Sequence, residues 1–280
     1  MNRLQQIEFD MLKEFIRICD ELGLTYFLVC GSALGAVKYQ GFIPWDDDLD
    51  VALPRPDYEI FCDKAQSMLP QYLFLQNYKT DSNYPLFMSK IRDSRTTFVE
   101  PLYKKIKMNH GVYIDVFPLD CYPNNKKDIV FFEKKKILYD RHRMVKYCYN
   151  RFSKENIRHP KAILAYILYR LFGFWNNTAR ESEKFHKLAS SYWGNGSSLW
   201  CNHGNWQGRL EYANKTQYGN GKWAIFEGLK VRIPEKYDEY LTQKYGNWRC
   251  DLPDDEKVAP HRALICNLNI EYTEYLKTLK

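Results

Sequence analysis

The segment Pro44-Trp45-Asp46-Asp47-Asp48-Leu49-Asp50-Val51 constrains this chain more than any other. Residues Asp48–Leu53 alternate polar and apolar, which predicts a strand. Residues i and i+2 of a strand share a face, so Asp48 and Asp50 point one way while Leu49, Val51 and Leu53 face a core. Two carboxylates on one face repel each other unless a cation lies between them. Mg²⁺ takes oxygen ligands and is commonly held by one or two carboxylates together with substrate phosphates. A solvated acidic turn is the plain alternative. A calcium loop is a second one: Asp46, Asp48 and Asp50 fit its first three ligand positions, but its obligatory glycine is Val51 here. That excludes the calcium loop.

The upstream context favours the metal. Tyr26–Cys30 reads as a short apolar strand closed by Gly31-Ser32, and Ala33–Tyr39 as a helix. Free backbone N–H groups and the dipole at a helix start favour a phosphate, and glycine allows its close approach. A Gly-Ser pair alone is a turn with a serine cap. Delivered by a strand into a helix, with Asp-Leu-Asp on the next strand, it becomes specific. This constellation is similar to the nucleotidyltransferase superfamily of polymerase-β type. That superfamily draws a third carboxylate from a later strand, and Gly111–Phe117 offers Asp115. Asp115 is the one acidic residue among apolar neighbours, where an unpaired charge is expensive. It serves either as a ligand beside Asp48 and Asp50 or as the partner of a Lys or Arg. Asp120, just after Pro118, reads as a turn or cap residue.

The periodicity elsewhere predicts an amphipathic helix over 2–22 ended by Gly23 and a helix over Pro56–Met68. Strands are expected at Tyr72–Gln76, Leu86–Arg92, Thr96–Glu100 and Val112–Phe117. Beyond Pro118 come a basic helical stretch, Lys126–Arg151, and helices over His159–Trp175 and Thr178–Leu188. Residues 190–225, rich in Gly, Asn, Trp and Tyr, read as irregular and ligand-facing, and a helix is expected over Ile233–Tyr245. The fold class is therefore α/β (α+β): a mixed-sheet core over 1–122 and a helical second half, 123–280, packed on it as one unit.

The balance of 41 Lys plus Arg against 34 Asp plus Glu leaves +7, which suits an anionic partner without choosing one. No basic stripe or RNA-binding appendage points to nucleic acid. The eight cysteines form no CxxC pair, which excludes a zinc site and a disulfide scaffold and suits a reducing compartment. Met1–Phe15 carries charges every few residues, unlike a signal peptide. The most apolar stretch, Ala162–Trp175, is 14 residues long and contains Arg170, whereas a bilayer needs about 20. The expectation is a cytoplasmic protein whose helix near Arg158, Lys161 and Arg170 either packs on the core or rests against an anionic membrane face.

A closer resemblance is to the LicD family. It rests on Gly31-Ser32-Ala33-Leu34-Gly35-Ala36-Val37-Lys38 with Gly41–Val51, then on Lys90-Ile91-Arg92-Asp93 with Thr96-Thr97-Phe98, and on Ile114–Asp120. A terminal block follows: Phe226-Glu227-Gly228, Pro234, Tyr240-Leu241, Tyr245-Gly246, Pro253 and His261. Lys38 stands where the family has arginine, which keeps the charge and loses a bidentate fork, and Asn247-Trp248 replaces an Asp-containing pair.

The resemblance implies transfer of a substituted phosphate from a CDP-linked donor to a glycan or its lipid-linked precursor, with release of CMP. CDP-choline is the favoured donor, and teichoic acid, capsule or lipopolysaccharide the acceptor. It further implies Mg²⁺ or Mn²⁺ on Asp48, Asp50 and Asp115, with Gly31, Ser32, Lys38, Lys90 and Arg92 around the donor phosphates. Trp45, Glu227 and His261 join the substrate-binding candidates. With 22 Tyr and 7 Trp the chain has rings to spare, and a quaternary ammonium is bound by ring faces. Trp193, Trp200, Trp206 and Trp223 could form such a cage, fill a core or grip sugars. Two other readings remain at this point: a nucleotidyltransferase acting on an NTP, and a non-catalytic nucleotide- or glycan-binding protein.

Overall fold

The computed structural model describes residues 1–148, 167, 171, 177–203 and 212–279. Helix α1 (Arg3–Leu22) begins at an Asn2/Gln5 capping box and stops at Gly23, whose φ of 66° suits glycine. Its apolar stripe, Met11, Leu12, Phe15, Ile18 and Cys19, is buried in the main core. Strand β1 (Phe27–Leu28) is short because Cys30 turns into the left-handed region (φ 53°) and opens helix α2 (Cys30–Lys38). The helix thus begins three residues earlier than the sequence suggests, and Gly31 and Ser32 sit in its first turn.

Strand β2 (Asp50–Pro54) begins two residues later than expected, which leaves Asp48 in the approach to the strand. Helix α3 (Arg55–Met68) follows, then β3 (Leu73–Gln76), β4 (Ser89–Asp93), β5 (Thr97–Val99) and β6 (Val112–Cys121). The main sheet runs β1-β2-β6-β4-β3, with β2 and β6 parallel and the other pairs antiparallel. Strand β6 continues past Pro118, where the sequence suggests a stop. The Asp115 amide donates to Leu49 O, 2.8 Å, on the β2 side, so even-numbered residues of β6 turn their amides the other way. On that other side β4 ends its ladder at Val116, and the N–H that Pro118 lacks costs no β4 rung.

The second half supplies helices and strands. Helix α4 spans Lys126–Cys148 and α5 spans Thr178–Ser190; the helix expected over 159–175 lies outside the described residues apart from 167 and 171. The described parts of 190–225, residues 190–203 and 212–225, hold more regular structure than their composition suggests. Strand β7 (Leu199–Cys201) pairs with the free end of β6 at Asp120 and Cys121, and β8 (Tyr212–Asn214) pairs with β7. Three-residue strands carry too little alternation to be legible, and the partner strand supplies the order. The four-residue α6 (Lys215–Tyr218) leads into the β9 (Lys222–Phe226)–β10 (Leu229–Ile233) hairpin. Its two turn residues, Glu227 and Gly228, both have positive φ, the two-residue turn whose twist matches a hairpin. Ile233 therefore closes a strand, and helix α7 (Tyr237–Tyr245) starts four residues beyond it. Strand β11 (Ile265–Asn267) pairs with β5, and α8 (Tyr272–Thr278) ends the described chain.

Candidate functional site

The parallel β2–β6 register sets Asp50 directly opposite Asp115, and the antiparallel β4–β6 register sets Lys90 on the other side of Asp115. Three neighbouring strands thus present Asp50, Asp115 and Lys90 as one row. Asp48, two residues before β2, joins them, and one carboxylate oxygen from each of Asp48, Asp50 and Asp115 lies within 4.8 Å of the others. The α2 start fixes this arrangement: the Ser32 hydroxyl accepts from the Asp50 amide at 2.8 Å, and the Val29 amide donates to Asp50 O at 3.1 Å. Ser32 is buried and acts here on the strand carrying the acid; it does not line the cavity described below.

The electrostatics fit a divalent cation. Burial pushes the Asp50 carboxyl well above its usual range, and repulsion from Asp48 and then Asp115 adds to it. Burial likewise raises Asp46, to about 8, with Asp48 as the next cause. Lys90 Nζ lies 2.9 Å from Asp115 Oδ1 and 3.8 Å from Glu100, so one ammonium is shared between two acids. An all-oxygen set of three convergent carboxylates suits Mg²⁺ or Mn²⁺. His261 approaches from far along the chain, 3.2 Å from Asp47 Oδ1 and 3.5 Å from Asp48 Oδ2. Burial opposes its charge, but Asp47 and Asp48 outweigh that and raise it to about 10, which makes it a cation at neutral pH.

These groups line a cavity of about 1000 Å³, large enough for a substrate with several functional parts. Gly31, Asp46, Asp48, Asp50, Lys90, Asp115 and His261 face it, as do Glu100 and Lys244, which the sequence does not single out. Burial would raise Glu100, but Lys90 and Arg92 outweigh it and hold its carboxyl below the usual range. A Cβ on Gly31 would come within 2.8 Å of Asp46 Oδ2, so this glycine makes room for a carboxylate at the cavity it lines. Apolar and aromatic side chains complete the wall, among them Leu34, Tyr39, Trp45, Tyr103 and Trp248.

Other expected site residues lie elsewhere or are already engaged. Arg92 is fully buried beside Gln76, the Gly111 carbonyl (2.6 Å) and Glu100 (3.6 Å), and does not line the cavity. It shares a strand face with Lys90 but sits opposite Tyr113, deeper in the sheet. Lys38 lines the cavity wall, yet its ammonium donates to the carbonyls of Arg249 (3.2 Å) and Cys250 (2.9 Å) and pairs with Asp251 (2.8 Å). It closes the chain over α2. Glu227 braces the 40–42 turn, accepting from the Phe42 amide at 3.1 Å.

Among the described residues, Trp193, Trp200 and Trp223 do not line the cavity. Trp193 and Trp200 stack on each other at 5.8 Å, and Trp200 lies on β7 against Tyr218. Trp223, on β9, is half exposed under Lys230 and Arg232. Trp206 lies outside the described residues. Asp120 is no cap: fully buried, it makes two 2.6 Å bonds to Arg55, whose far side meets His186 Nδ1 at 3.0 Å.

No helix among the described residues is long and apolar enough to cross a membrane. Comparison with known proteins matches residues 23–162 to the LicD/FKTN/FKRP nucleotidyltransferase-domain model. The lipopolysaccharide cholinephosphotransferase LicD of Haemophilus influenzae is 30% identical over 264 residues, 92% of this chain and 94% of that protein. Two uncharacterised rickettsial proteins match shorter stretches. That of Rickettsia typhi is 28% identical over 41% of this chain and 38% of its own, and that of Rickettsia prowazekii is 36% identical over 23% of each. A carboxylate triad at β2 and β6, a helix with Gly31 in its first turn beside it and similarity along nearly the whole length agree: the chain belongs to the LicD/FKTN/FKRP nucleotidyltransferase-domain family.

Proposed function

We propose that this chain is a Mg²⁺- or Mn²⁺-dependent phosphotransferase that moves phosphocholine from CDP-choline to a cell-surface glycan or its lipid-linked precursor and releases CMP. The observation that carries this reading is the convergence of Asp48, Asp50 and Asp115 within 4.8 Å at the wall of a large cavity. A relative at 30% identity that is a lipopolysaccharide cholinephosphotransferase supports the choice of cargo and acceptor.

Asp48, Asp50 and Asp115 would hold the cation, which when bound neutralises phosphate charge and orients the phosphorus. The chain's own residues do the rest. Lys90 and the protonated His261 bring positive charge to the row of acids, and Lys244 brings another to the same cavity, which offsets the carboxylates that a pyrophosphate would meet there. Gly31 keeps the first turn of α2 open to an oxygen of the donor. The acceptor hydroxyl oxygen bonds to the choline-bearing phosphorus and gives its proton to a carboxylate of the cavity or to water, and the bond from that phosphorus to the CMP oxygen breaks with its electron pair leaving on CMP. Apolar walls limit water, the competing acceptor.

The test is to incubate the protein with Mg²⁺, a glycan acceptor and, in turn, CDP-choline, CDP-ethanolamine, CDP-glycerol, CDP-ribitol and NTPs. CMP from CDP-choline at the highest rate is the expected result. Pyrophosphate from an NTP, with every CDP-linked donor intact, would make the chain a nucleotidyltransferase.

A further inference from the structure

Trp45 stands three residues before Asp48, so its Cα lies within about 11 Å of that of the first acid of the triad. The side chain is half-buried on the cavity wall, and Tyr39 meets its ring edge-on at 6.2 Å. A cation already occupies this corner: the ammonium of Lys257 lies 5.6 Å from the Trp45 ring centroid. That ammonium is also paired at 2.6 Å with Asp254, which is 95% exposed, so the pair can turn outward into water without being broken. Two carboxylates of the same wall, Asp46 and Glu256, lie close in sequence to Trp45 and Lys257. The other tryptophan of this wall, Trp248, is already covered by the Arg249 guanidinium at 4.4 Å and donates its Nε1–H to Asp238 at 3.2 Å.

We infer that the Trp45–Tyr39 corner is the subsite for the quaternary ammonium of the transferred group, with the Lys257 ammonium as a stand-in that the substrate displaces. This rests on the phosphocholine-transfer reading. A trimethylammonium has no N–H to donate, so a site selects it by ring faces and nearby negative charge. The corner offers the ring faces, and a carboxylate, Asp254, lies 2.6 Å from the ammonium that now covers them. Neutral glycerol and ribitol gain little there, and a primary ammonium keeps its preference for water. Phosphocholine joins its phosphorus to its nitrogen through only one oxygen and two carbons, so with the phosphate at the triad the head group stays in the same cavity, whose wall includes Trp45. A cytosine ring could also stack on Trp45, but the group already seated over the ring is an ammonium, so the corner accommodates a cation.

The experiment measures kcat/KM for CMP release from CDP-choline and from CDP-glycerol with the wild type, Trp45→Phe, Trp45→Ala and Lys257→Met, and inhibition of each by CMP. Trp45→Ala should lower the choline-to-glycerol ratio about 5- to 30-fold, and Trp45→Phe, which keeps a ring and the fold, by less. Lys257→Met frees the ring face and should lower KM for CDP-choline. Equal losses on both donors, together with weaker CMP inhibition, would put the ring against cytosine and overturn the inference. An unchanged ratio in both Trp45 variants would overturn it as well. If the wild type releases CMP from no CDP-linked donor, the functional reading itself fails and the subsite with it.

Discussion

Asp50 and Asp115 are direct partners in the parallel β2–β6 ladder. Like charges set opposite each other on neighbouring strands destabilise a sheet, and burial makes this pair worse. A fold keeps such an arrangement where a cation resolves it. In chelator, Asp50→Asn is therefore expected to melt about 2–4 °C above the wild type, because one member of a repulsive cluster is gone. On addition of Mg²⁺ the wild type should gain stability and the variant should not. Turnover should fall about 10²- to 10³-fold in the variant. Thermal melts with and without metal check this, and a variant that responds to Mg²⁺ like the wild type contradicts it.

Gly31 and Asp46 give a second test. Gly31 has no positive φ, so alanine suits its backbone and the first turn of α2. The added Cβ would press on Asp46 Oδ2 at 2.8 Å and intrude on the cavity. Gly31→Ala should keep or raise unfolding stability while lowering kcat/KM about 10- to 100-fold. Loss of activity in parallel with loss of fold would point to a structural role alone.

The Arg55–Asp120 pair anchors the start of α3 to the far end of β6, remote from the row of acids. Removing one partner leaves a buried charge alone, so Asp120→Asn should cost about 3–5 kcal/mol in urea unfolding. The double variant Arg55→Met, Asp120→Leu should recover much of that loss, since an apolar pair leaves no charge stranded. Additive losses in the double variant would argue against the pair as the source.

His110 sets a pH dependence of stability. Burial lowers it to about 4 from an ordinary value near 6.5, and its Nε2 bonds the Ile106 carbonyl. Between those two values the unfolded chain binds the proton and the native one does not. Stability from the neutral ring is thus complete above the unfolded value and is lost as the pH falls from about 6.5 toward 4. At pH 5 the expected loss relative to neutral pH is about 2 kcal/mol. In His110→Gln the corresponding part of the acid sensitivity should vanish, as urea titrations at both pH values would show.

The acids were legible in the sequence because the close spacing of Asp48 and Asp50 and a lone carboxylate among apolar residues are local signals, although Asp48 lies just before β2 and not on it. Asp48, Asp50 and Asp115 needed no tertiary information. Lys244 had no such signal: it sits on α7 and reaches the cavity because that helix packs against α2. Periodicity placed Lys90 and Arg92 on one face, but only the β4–β6 register shows that Lys90 meets Asp115 while Arg92 meets Tyr113 and the sheet interior. Composition drew attention to the tryptophans of 190–225, yet β7 exists because β6 runs on past Pro118 and offers it an edge. The β9–β10 turn at Glu227-Gly228 was hidden for the opposite reason, since an Asp/Asn-Gly signal was absent and glutamate takes a positive φ there.

The most direct test follows the phosphorus. CDP-choline radiolabelled in the choline-bearing phosphate is incubated with the protein, Mg²⁺ and a glycan acceptor, and the label is traced. Transfer of phosphocholine predicts label on the glycan and unlabelled CMP in solution. Label left in intact CDP-choline, with pyrophosphate released from an added NTP and the nucleotide joined to the acceptor, would contradict it.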